Sequence, residues 1–445
     1  MNTPRSIAVD ILCRIEEKGA YAEPLLDEVL SDQILSNAQD RRLLTQIVYG
    51  TLRMQGRLDW IIARLYRGRV IDLDGNVRNI IRMSLYQLFF THRIPQFAIV
   101  DEAVKVTKEL NAKAAGLVNA VLRNAIRKGW GIAYPDSKES PALYLSVYYS
   151  HPLWLVEKWL VLFGFEETEA VCRANLEIPP AAVRVNRLKT TPEEAIKDLR
   201  DEGFEVVPAA ISPDGLILIK QPKSLREAAI FRKGHVQMQD EASQLISHLV
   251  APEAGERILD LCAGTGGKTS HLAEIMKNKG EIIAVDINGR KLERLQNNAK
   301  RLGANVVRTL QGDAAGPLVI DPHVRFDKIL IDAPCSGLGT LRRNPEIKWR
   351  IMPQAIKKSA ALQTHLIKNA ARYLKDGGIL IYSTCTNLPE ENEDIITDFM
   401  ENNRVCQQLR PPETTPPDLV SERGFFRTKT HLCGADGFFG AILSC

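Results

Sequence analysis

At Gln237 the pattern of this 445-residue chain changes, and the change limits the folds open to it. From there, short apolar runs rich in Ile, Leu and Val alternate with stretches of helical periodicity. Segments 257–261, 281–285, 306–310, 328–332 and 378–382 read as buried strands, and 267–278, 288–302 and 353–375 as helices. Such alternation implies an α/β, Rossmann-like domain: a parallel sheet with helices on both faces, whose ligands gather at the carboxyl ends of the strands. Residues that follow each strand are therefore the candidates for chemistry.

After the first of these strands the chain reads Asp260-Leu261-Cys262-Ala263-Gly264-Thr265-Gly266-Gly267-Lys268-Thr269. Glycines let a backbone turn sharply and come close to a ligand. The dinucleotide fingerprint begun at Gly264 needs glycine where Thr269 stands, and the phosphate loop ending in Gly267-Lys268-Thr269 needs glycine where Cys262 stands. Asp286 follows the second strand, placed to accept from both hydroxyls of a ribose. Asp313, in Gln311-Gly312-Asp313-Ala314, follows the third and could accept from an adenine amine. Together they describe an adenosine without a phosphate chain, which points to S-adenosylmethionine rather than NAD.

The fourth strand ends in Asp332-Ala333-Pro334-Cys335-Ser336-Gly337 and the fifth in Ser383-Thr384-Cys385-Thr386. If those strands are neighbours, both thiols sit on the rim that holds the cofactor loop. Carbon 5 of a pyrimidine is a poor nucleophile, and a thiolate that adds to carbon 6 turns it into an enamine carbon able to take a methyl group. A second thiol could remove or help remove the carbon-5 proton, and Asp332 could serve either the target base or the amine of the methyl donor. The attacking thiol should have a lowered pKa, from a nearby cation or a helix N-terminus. Its target must be unstacked, which favours a loop or bulge of RNA.

Residues 3 to 128 carry helical periodicity throughout, as in Ile7, Ile11, Leu12, Ile15 and Ile80, Ile81, Leu85, Leu88. A breaker-rich stretch follows, with Gly129, Gly131, Pro135 and Pro141. Segment 142–236 mixes helix-like and strand-like runs, with Thr191-Pro192-Glu193-Glu194 as a capped helix start, and reads as small α+β. The expected domains are 1–137, 138–236 and 237–445. Eight cysteines without a C-x-x-C pair argue against a structural zinc site and against a disulfide framework, so any special cysteine is expected to be a reduced thiol. The chain has no apolar block of membrane length and no signal-peptide pattern at its start, so a soluble, cytoplasmic protein is expected.

A net charge of +4 says little, but its distribution says more. Ten arginines (41, 42, 53, 57, 64, 67, 69, 78, 82 and 93) face three acids, Asp59, Asp72 and Asp74, between Arg41 and Arg93. Residues 342–358 hold Arg342, Arg343, Lys348, Arg350, Lys357 and Lys358 against Glu346. Two such runs, one beside the thiol motifs, suggest phosphate contacts with RNA or DNA.

With these motifs in view, the carboxyl-terminal part resembles the RNA cytosine-5 methyltransferases, and the order of domains resembles that of their bacterial members acting on 16S ribosomal RNA. The family loop usually reads D-x-C-A-A-P-G-G-K-T; here Gly264 and Thr265 stand in place of Ala-Pro. The resemblance implies cofactor contacts from Cys262, Ala263, Gly264, Thr265, Gly266, Gly267 and Lys268, and from Asp286, Asp313 and Asp332. It implies attack by Cys385, in the Thr-Cys motif followed by Pro389-Glu390-Glu391-Asn392-Glu393, and help in product release from Cys335 in the Pro-Cys motif. In DNA cytosine methyltransferases the Pro-Cys thiol attacks, so the Thr-Cys motif favours RNA. Asp40-Arg41-Arg42, Tyr49-Gly50 and Ile94-Pro95-Gln96 look like a NusB-type RNA-binding helical domain. Tyr149-Ser150-His151-Pro152 and Arg184-Val185-Asn186 look like the family's small, RRM-like middle domain, and Asp436-Gly437-Phe438-Phe439 like the closing strands of its sheet. The partner implied is 16S ribosomal RNA, naked or in an early assembly intermediate, bound by a monomer without metal or membrane. The competing reading is a NusB-like RNA-binding or antitermination factor with a non-catalytic sheet domain.

Overall fold

The computed structural model describes residues 3–31, 34, 35, 37–91 and 94–445. They form two compact units, one of residues 1–178 with 341–350, the other of 179–340 with 351–445. Arg93 lies outside the described residues.

The first unit is helical: α1 (Pro4–Lys18), α2 (Ala22–Ser31), α3 (Ala38–Leu65), α4 (Gly75–Phe90), α5 (Gln96–Asn111), α6 (Ala115–Lys128), α7 (Pro141–Tyr148) and α8 (Leu153–Ala174). Short polar side chains start these helices by meeting free backbone N–H groups: Thr3 and Ser6 form a capping box on α1, Asn37 caps α3 and Asp74 caps α4. The apolar stripes then close one core, in which Ile11, Leu44, Val48, Leu58, Ile80 and Leu85 are fully buried. Helix α8 breaks at Gly164, whose φ of 75° leaves the helical region.

This unit corrects the reading of the arginine run. Arg82 is 4% exposed and bonds Asp59 through Nε (2.7 Å) and Nη2 (2.8 Å), and Glu16 through Nη1 (3.0 Å). Arg78 donates to the carbonyls of Ile71 and Leu73, and Arg57 lies over the rings of Tyr134 and Tyr148. Arg41 donates to the carbonyl oxygens of Leu30 and Leu35 near the end of α2. These guanidinium groups satisfy internal acceptors and do not form a phosphate surface. Arg42, Arg64, Arg67 and Arg69 are the members of the run that stay exposed. The second run divides: Arg342 and Lys348, within residues 341–350, are buried, whereas Arg350, Lys357 and Lys358 stay exposed. Lys348 Nζ donates to the Arg53 carbonyl at 3.0 Å, Trp349 Nε1 to Leu52 O at 2.8 Å, and Glu346 accepts from the Ala22 backbone at 2.9 Å. A Cβ on Gly56 would come 2.7 Å from the Trp349 ring, so the α3 backbone is stripped of a side chain where this strap crosses it.

The second unit begins with a small antiparallel sheet built from β1 (Ala181–Val185), α9 (Pro192–Asp201), β2 (Glu205–Pro208), β3 (Gly215–Lys220), α10 (Ala229–Arg232) and β4 (Val236–Met238), in strand order β2-β3-β1-β4. Thr191 and Glu194 form the expected capping box on α9. There follow α11 (Glu241–Val250), β5 (Arg257–Leu261), α12 (Gly267–Ile275), β6 (Glu281–Asp286), α13 (Gly289–Leu302), β7 (Val307–Gln311) and β8 (Phe326–Asp332). The turn α14 (Ile347–Arg350) belongs to the helical unit; α15 (Pro353–Ala370), β9 (Leu374–Thr384), α16 (Glu393–Asn402), β10 (Gln407–Leu409), β11 (Phe426–Arg427) and β12 (Phe439–Ser444) complete the chain's main elements. The large sheet runs β10-β12-β9-β8-β5-β6-β7, with β11 on β12. Strands β5 to β9 are parallel, while β12 and β10 run against them, so the sheet is mixed rather than wholly parallel. Because β5 lies between β6 and β8, the strand order reverses there, and the ligand crevice opens above its carboxyl end.

The antiparallel edge adds one disulfide to a chain whose cysteines argue against a disulfide framework. Pairing of Gln407 with Ser444 brings the flanking Cys406 and Cys445 together as a disulfide, and Cys13, Cys172, Cys262, Cys335, Cys385 and Cys433 are free. A bridge between residues 39 positions apart leaves no short-spacing signature in the sequence. Asp214, before β3, accepts from His248 of α11 at 2.9 Å and from His271 of α12 at 3.2 Å. The three converge closely enough to hold a metal ion, a grouping that the sequence alone does not reveal. Burial pulls His271 down to about 3, so it is a neutral donor.

Candidate active site

The loop after β5 is shaped by three left-handed residues, Cys262 (φ 63°), Gly264 (59°) and Gly266 (82°). Glycine takes such angles without strain. At Gly266 a Cβ would lie 2.5 Å from Leu295 Cγ, whereas at Gly264 it would meet open space, so the departure from the family's Ala-Pro leaves a bare backbone facing outward. Ala263 N donates to Val285 O at 2.9 Å and Gly264 N to Asp286 Oδ2 at 2.9 Å, pinning the loop to the end of β6. Asp286 Oδ1 also accepts from Asn288 N at 2.8 Å. The Thr265 carbonyl accepts from Asn298, and Gly267 opens α12, which aims its free N–H groups at the crevice.

Lys268, on the first turn of α12, reaches β8: its Nζ is 2.7 Å from Asp332 Oδ2, while Asp332 Oδ1 accepts from Ser383 Oγ of β9 at 3.0 Å. These bonds join the cofactor loop to the two cysteine loops, because Asp332 precedes Cys335 by three residues and Ser383 precedes Cys385 by two. Beneath them, Asp260 is buried with one oxygen bonded to Thr269 Oγ1 (2.6 Å) and the other without a partner. Burial, and then the charge of Asp332, push its carboxyl up to about 7. Burial beside the same carboxylates pushes the Cys262 thiol up to about 12, which makes it a poor nucleophile. Asp313 lies just beyond the end of β7, exposed, with Oδ1 taking the Ala315 N–H in a turn.

The acceptors could suit a sulfonium nucleoside. Asp286, buried at the end of β6, could accept from ribose hydroxyls, the partnerless buried oxygen of Asp260 could accept from an ammonium group, and Ile287, 67% exposed in an open cleft with Asn288 and Arg290, could offer an apolar face to a flat ring. Neither Ile287 nor Ser383 is singled out by the sequence alone. Position after a strand is the available signal for Ile287; Ser383 becomes legible only once β8 and β9 pair.

The two sulfurs are 3.4 Å apart, Cys335 Sγ to Cys385 Sγ, and both cysteines are half-buried. Gly339 N donates to Cys385 O (2.9 Å) and Gly437 N to Gly339 O (2.8 Å), lacing the loops together; a Cβ on Gly339 would lie 1.9 Å from Gly437 O. The hydrogen bond with Cys385, and then burial, hold the Cys335 thiol well above its ordinary range. For this cysteine the direction is opposite to the lowered pKa expected of an attacking thiol.

A sheet of this order, with a glycine turn after the strand at its switch point and carboxylates after the next, defines an S-adenosylmethionine-dependent methyltransferase. Comparison with known proteins narrows the class. The family model described as 16S rRNA methyltransferase RsmB/F matches residues 247–444, the NusB family model residues 2–127, and an RsmF/B-like ferredoxin-like domain residues 151–224. The probable ribosomal RNA small subunit methyltransferase B of Bacillus subtilis is 35% identical over 441 residues, covering 98% of this chain and 97% of that protein. Ribosomal RNA small subunit methyltransferase B of Escherichia coli is 34% identical, covering 99% and 98%. Among solved structures, PH0851 superposes with a TM-score of 0.84 at 30% identity over 99% of each chain. NSun6 from Pyrococcus horikoshii, solved with SFG, gives 0.59 at 25% identity over 66% of this chain and 98% of that one. The chain belongs to the family of ribosomal RNA small subunit methyltransferase B, the RsmB/F methyltransferases with a NusB domain.

Proposed function

We propose that this protein methylates carbon 5 of a cytosine in 16S ribosomal RNA, with Cys385 as the nucleophile and Cys335 as the group that frees the product. The observation that carries the reading is the 3.4 Å separation of the two sulfurs, because carbons 5 and 6 of a pyrimidine are bonded neighbours and two sulfurs this close can act on both. The Cys335 thiol, raised by its hydrogen bond with Cys385 and by burial, is the poorer nucleophile of the two, which leaves Cys385 to add to carbon 6. The addition leaves carbon 5 electron-rich. S-adenosylmethionine, held by the 262–268 loop, Asp286, Asp313 and Asp332, supplies an electrophilic methyl group when bound.

Release follows from the same pair. Once the Cys385 sulfur is tied up in a carbon–sulfur bond, the hydrogen bond with Cys385, the largest cause holding the Cys335 thiol up, is gone, while burial remains. Cys335 can then lose its proton to water and take the proton from carbon 5. The electrons re-form the double bond between carbons 5 and 6, and Cys385 leaves as thiolate. Asp332, held between Lys268 and Ser383, keeps both cysteine loops on the rim of the cofactor loop.

The finer substrate is RNA that is naked or in an early assembly intermediate, bound by a monomer in the cytoplasm through the exposed arginines of α3 and the stretch after it. Among the described residues no helix is long and apolar enough to cross a membrane. A NusB-like binding factor with a silent sheet domain is not favoured, since it has no need of two thiols in contact. The test is methylation of small-subunit RNA with labelled donor. Cys385→Ala abolishes transfer, and Cys335→Ala accumulates a protein–RNA adduct stable in denaturant. The reverse pattern assigns attack to Cys335, and no label on cytosine with any such RNA leaves the binding-factor reading.

A further inference from the structure

Below the two thiols lies a carboxylate with no part in the chemistry so far. Glu391, on the turn after β9, is fully buried. Its Oε1 accepts from Ser336 N at 2.8 Å and from Gln363 Nε2 at 3.3 Å, and its Oε2 accepts from the Ser336 hydroxyl. The Thr386 hydroxyl lies 2.9 Å from Ser336 Oγ and also bonds Glu391. Ser336 is the neighbour of Cys335, and Thr386 is the neighbour of Cys385. One carboxyl group therefore reaches both cysteine loops at the residue next to the sulfur.

A buried carboxylate costs several kcal/mol in lost hydration unless its oxygens are well met. Here both oxygens are met, and the donors converge from two loops that come from different strands. The loops need such a tie: their sulfurs must address adjacent ring atoms, and a displacement of about 1 Å at a reacting group can cost on the order of a hundredfold in rate. The backbone bond from Gly339 N to Cys385 O ties the Cys385 residue to a point four residues beyond Cys335, whereas Glu391 reaches the residue next to each thiol.

We propose that Glu391 is a positioning residue: by holding Ser336 and Thr386 on one carboxyl group, it keeps the Cys335 and Cys385 sulfurs close enough to act on two neighbouring atoms of the base. The inference rests on the thiol roles proposed above, and its test separates the two.

A trivalent arsenical such as phenylarsine oxide condenses with two adjacent thiols, forming two arsenic–sulfur bonds and releasing one water, and so reads sulfur spacing without RNA or methyl donor. The full-length wild type takes up one equivalent tightly at this pair, and Cys335→Ala or Cys385→Ala abolishes that uptake. Glu391→Ala weakens it at least tenfold and lowers kcat about a hundredfold, with KM for RNA and cofactor affinity within threefold. Glu391→Gln, which keeps an acceptor for Ser336 N, restores most of both. Glu391→Ala with wild-type arsenical affinity, or with unchanged kcat, overturns the proposal. If Glu391→Ala does not fold, Ser336→Ala serves, with a smaller loss in the same two readouts expected and an unchanged kcat overturning. If Cys385→Ala still methylates, the thiol roles fail, while the arsenical series still reports on spacing.

Discussion

Arg184 of β1 and Glu274 of α12 form a two-bond ion pair, Nη2 to Oε1 at 2.7 Å and Nε to Oε2 at 3.1 Å, with neither side chain exposed. The same guanidinium donates to Gly267 O at 2.8 Å and to Ser270 Oγ at 3.0 Å. The small sheet thus grips the helix whose first turn carries Gly267 and Lys268, so a residue outside the crevice steadies the cofactor loop.

Removing one member of a buried pair strands the other charge and costs about 3–5 kcal/mol. Arg184→Met should therefore lower unfolding free energy by that amount in urea melts. It should also weaken cofactor binding several-fold by calorimetry, because Gly267 O loses its donor. Unchanged cofactor affinity in a folded variant would confine Arg184 to stability.

The arginines of the helical unit divide by burial, and the division predicts opposite phenotypes. Arg64→Glu with Arg67→Glu leaves folding intact and flattens the salt dependence of RNA binding, by about 0.7 in the log–log slope for each phosphate no longer neutralised. Arg82→Met strips Asp59 of its two-bond partner and Glu16 of one of its two arginines, and lowers the melting temperature instead. An unchanged salt slope after the double reversal returns those residues to an ordinary solvated surface.

Lys348 makes the helical unit sensitive to pH. Burial pushes its ammonium from 10.5 down to about 7, so between those values the unfolded chain holds a proton that the folded chain does not. Stability is then full above about pH 10.5, declines as pH falls toward 7, and levels off below that, where both states are protonated. Relative to Lys348→Met, the wild type should gain about 2 kcal/mol between roughly pH 7 and pH 9. Denaturant melts of both proteins at the two pH values measure it, and an unchanged difference shows that Lys348 is not the group responsible.

Legibility in the sequence follows the range of the interactions. The β/α alternation, the capping box of Thr191 and Glu194, and the glycine loop after β5 are local: a strand's apolar run, a cap's hydroxyl or a glycine's free φ acts within a few residues. The arginine run misleads because charge is visible in a sequence while its acceptors are not. Arg82 finds Asp59 and Glu16 on other helices, and the Arg57 guanidinium finds rings that follow α6. The bridge between Cys406 and Cys445 is not legible because only the pairing of β10 with β12 makes them neighbours.

Residue types at short spacing were thus enough to give the class of fold, the cofactor type and the two cysteines worth attention. Folding had to supply the rest: that those sulfurs touch, that Asp332 lies between Lys268 and Ser383, and that Glu391 sits under both loops. Contacts of that kind join strands 50 or more residues apart, and they exist only after burial of the sheet has fixed which strands are adjacent.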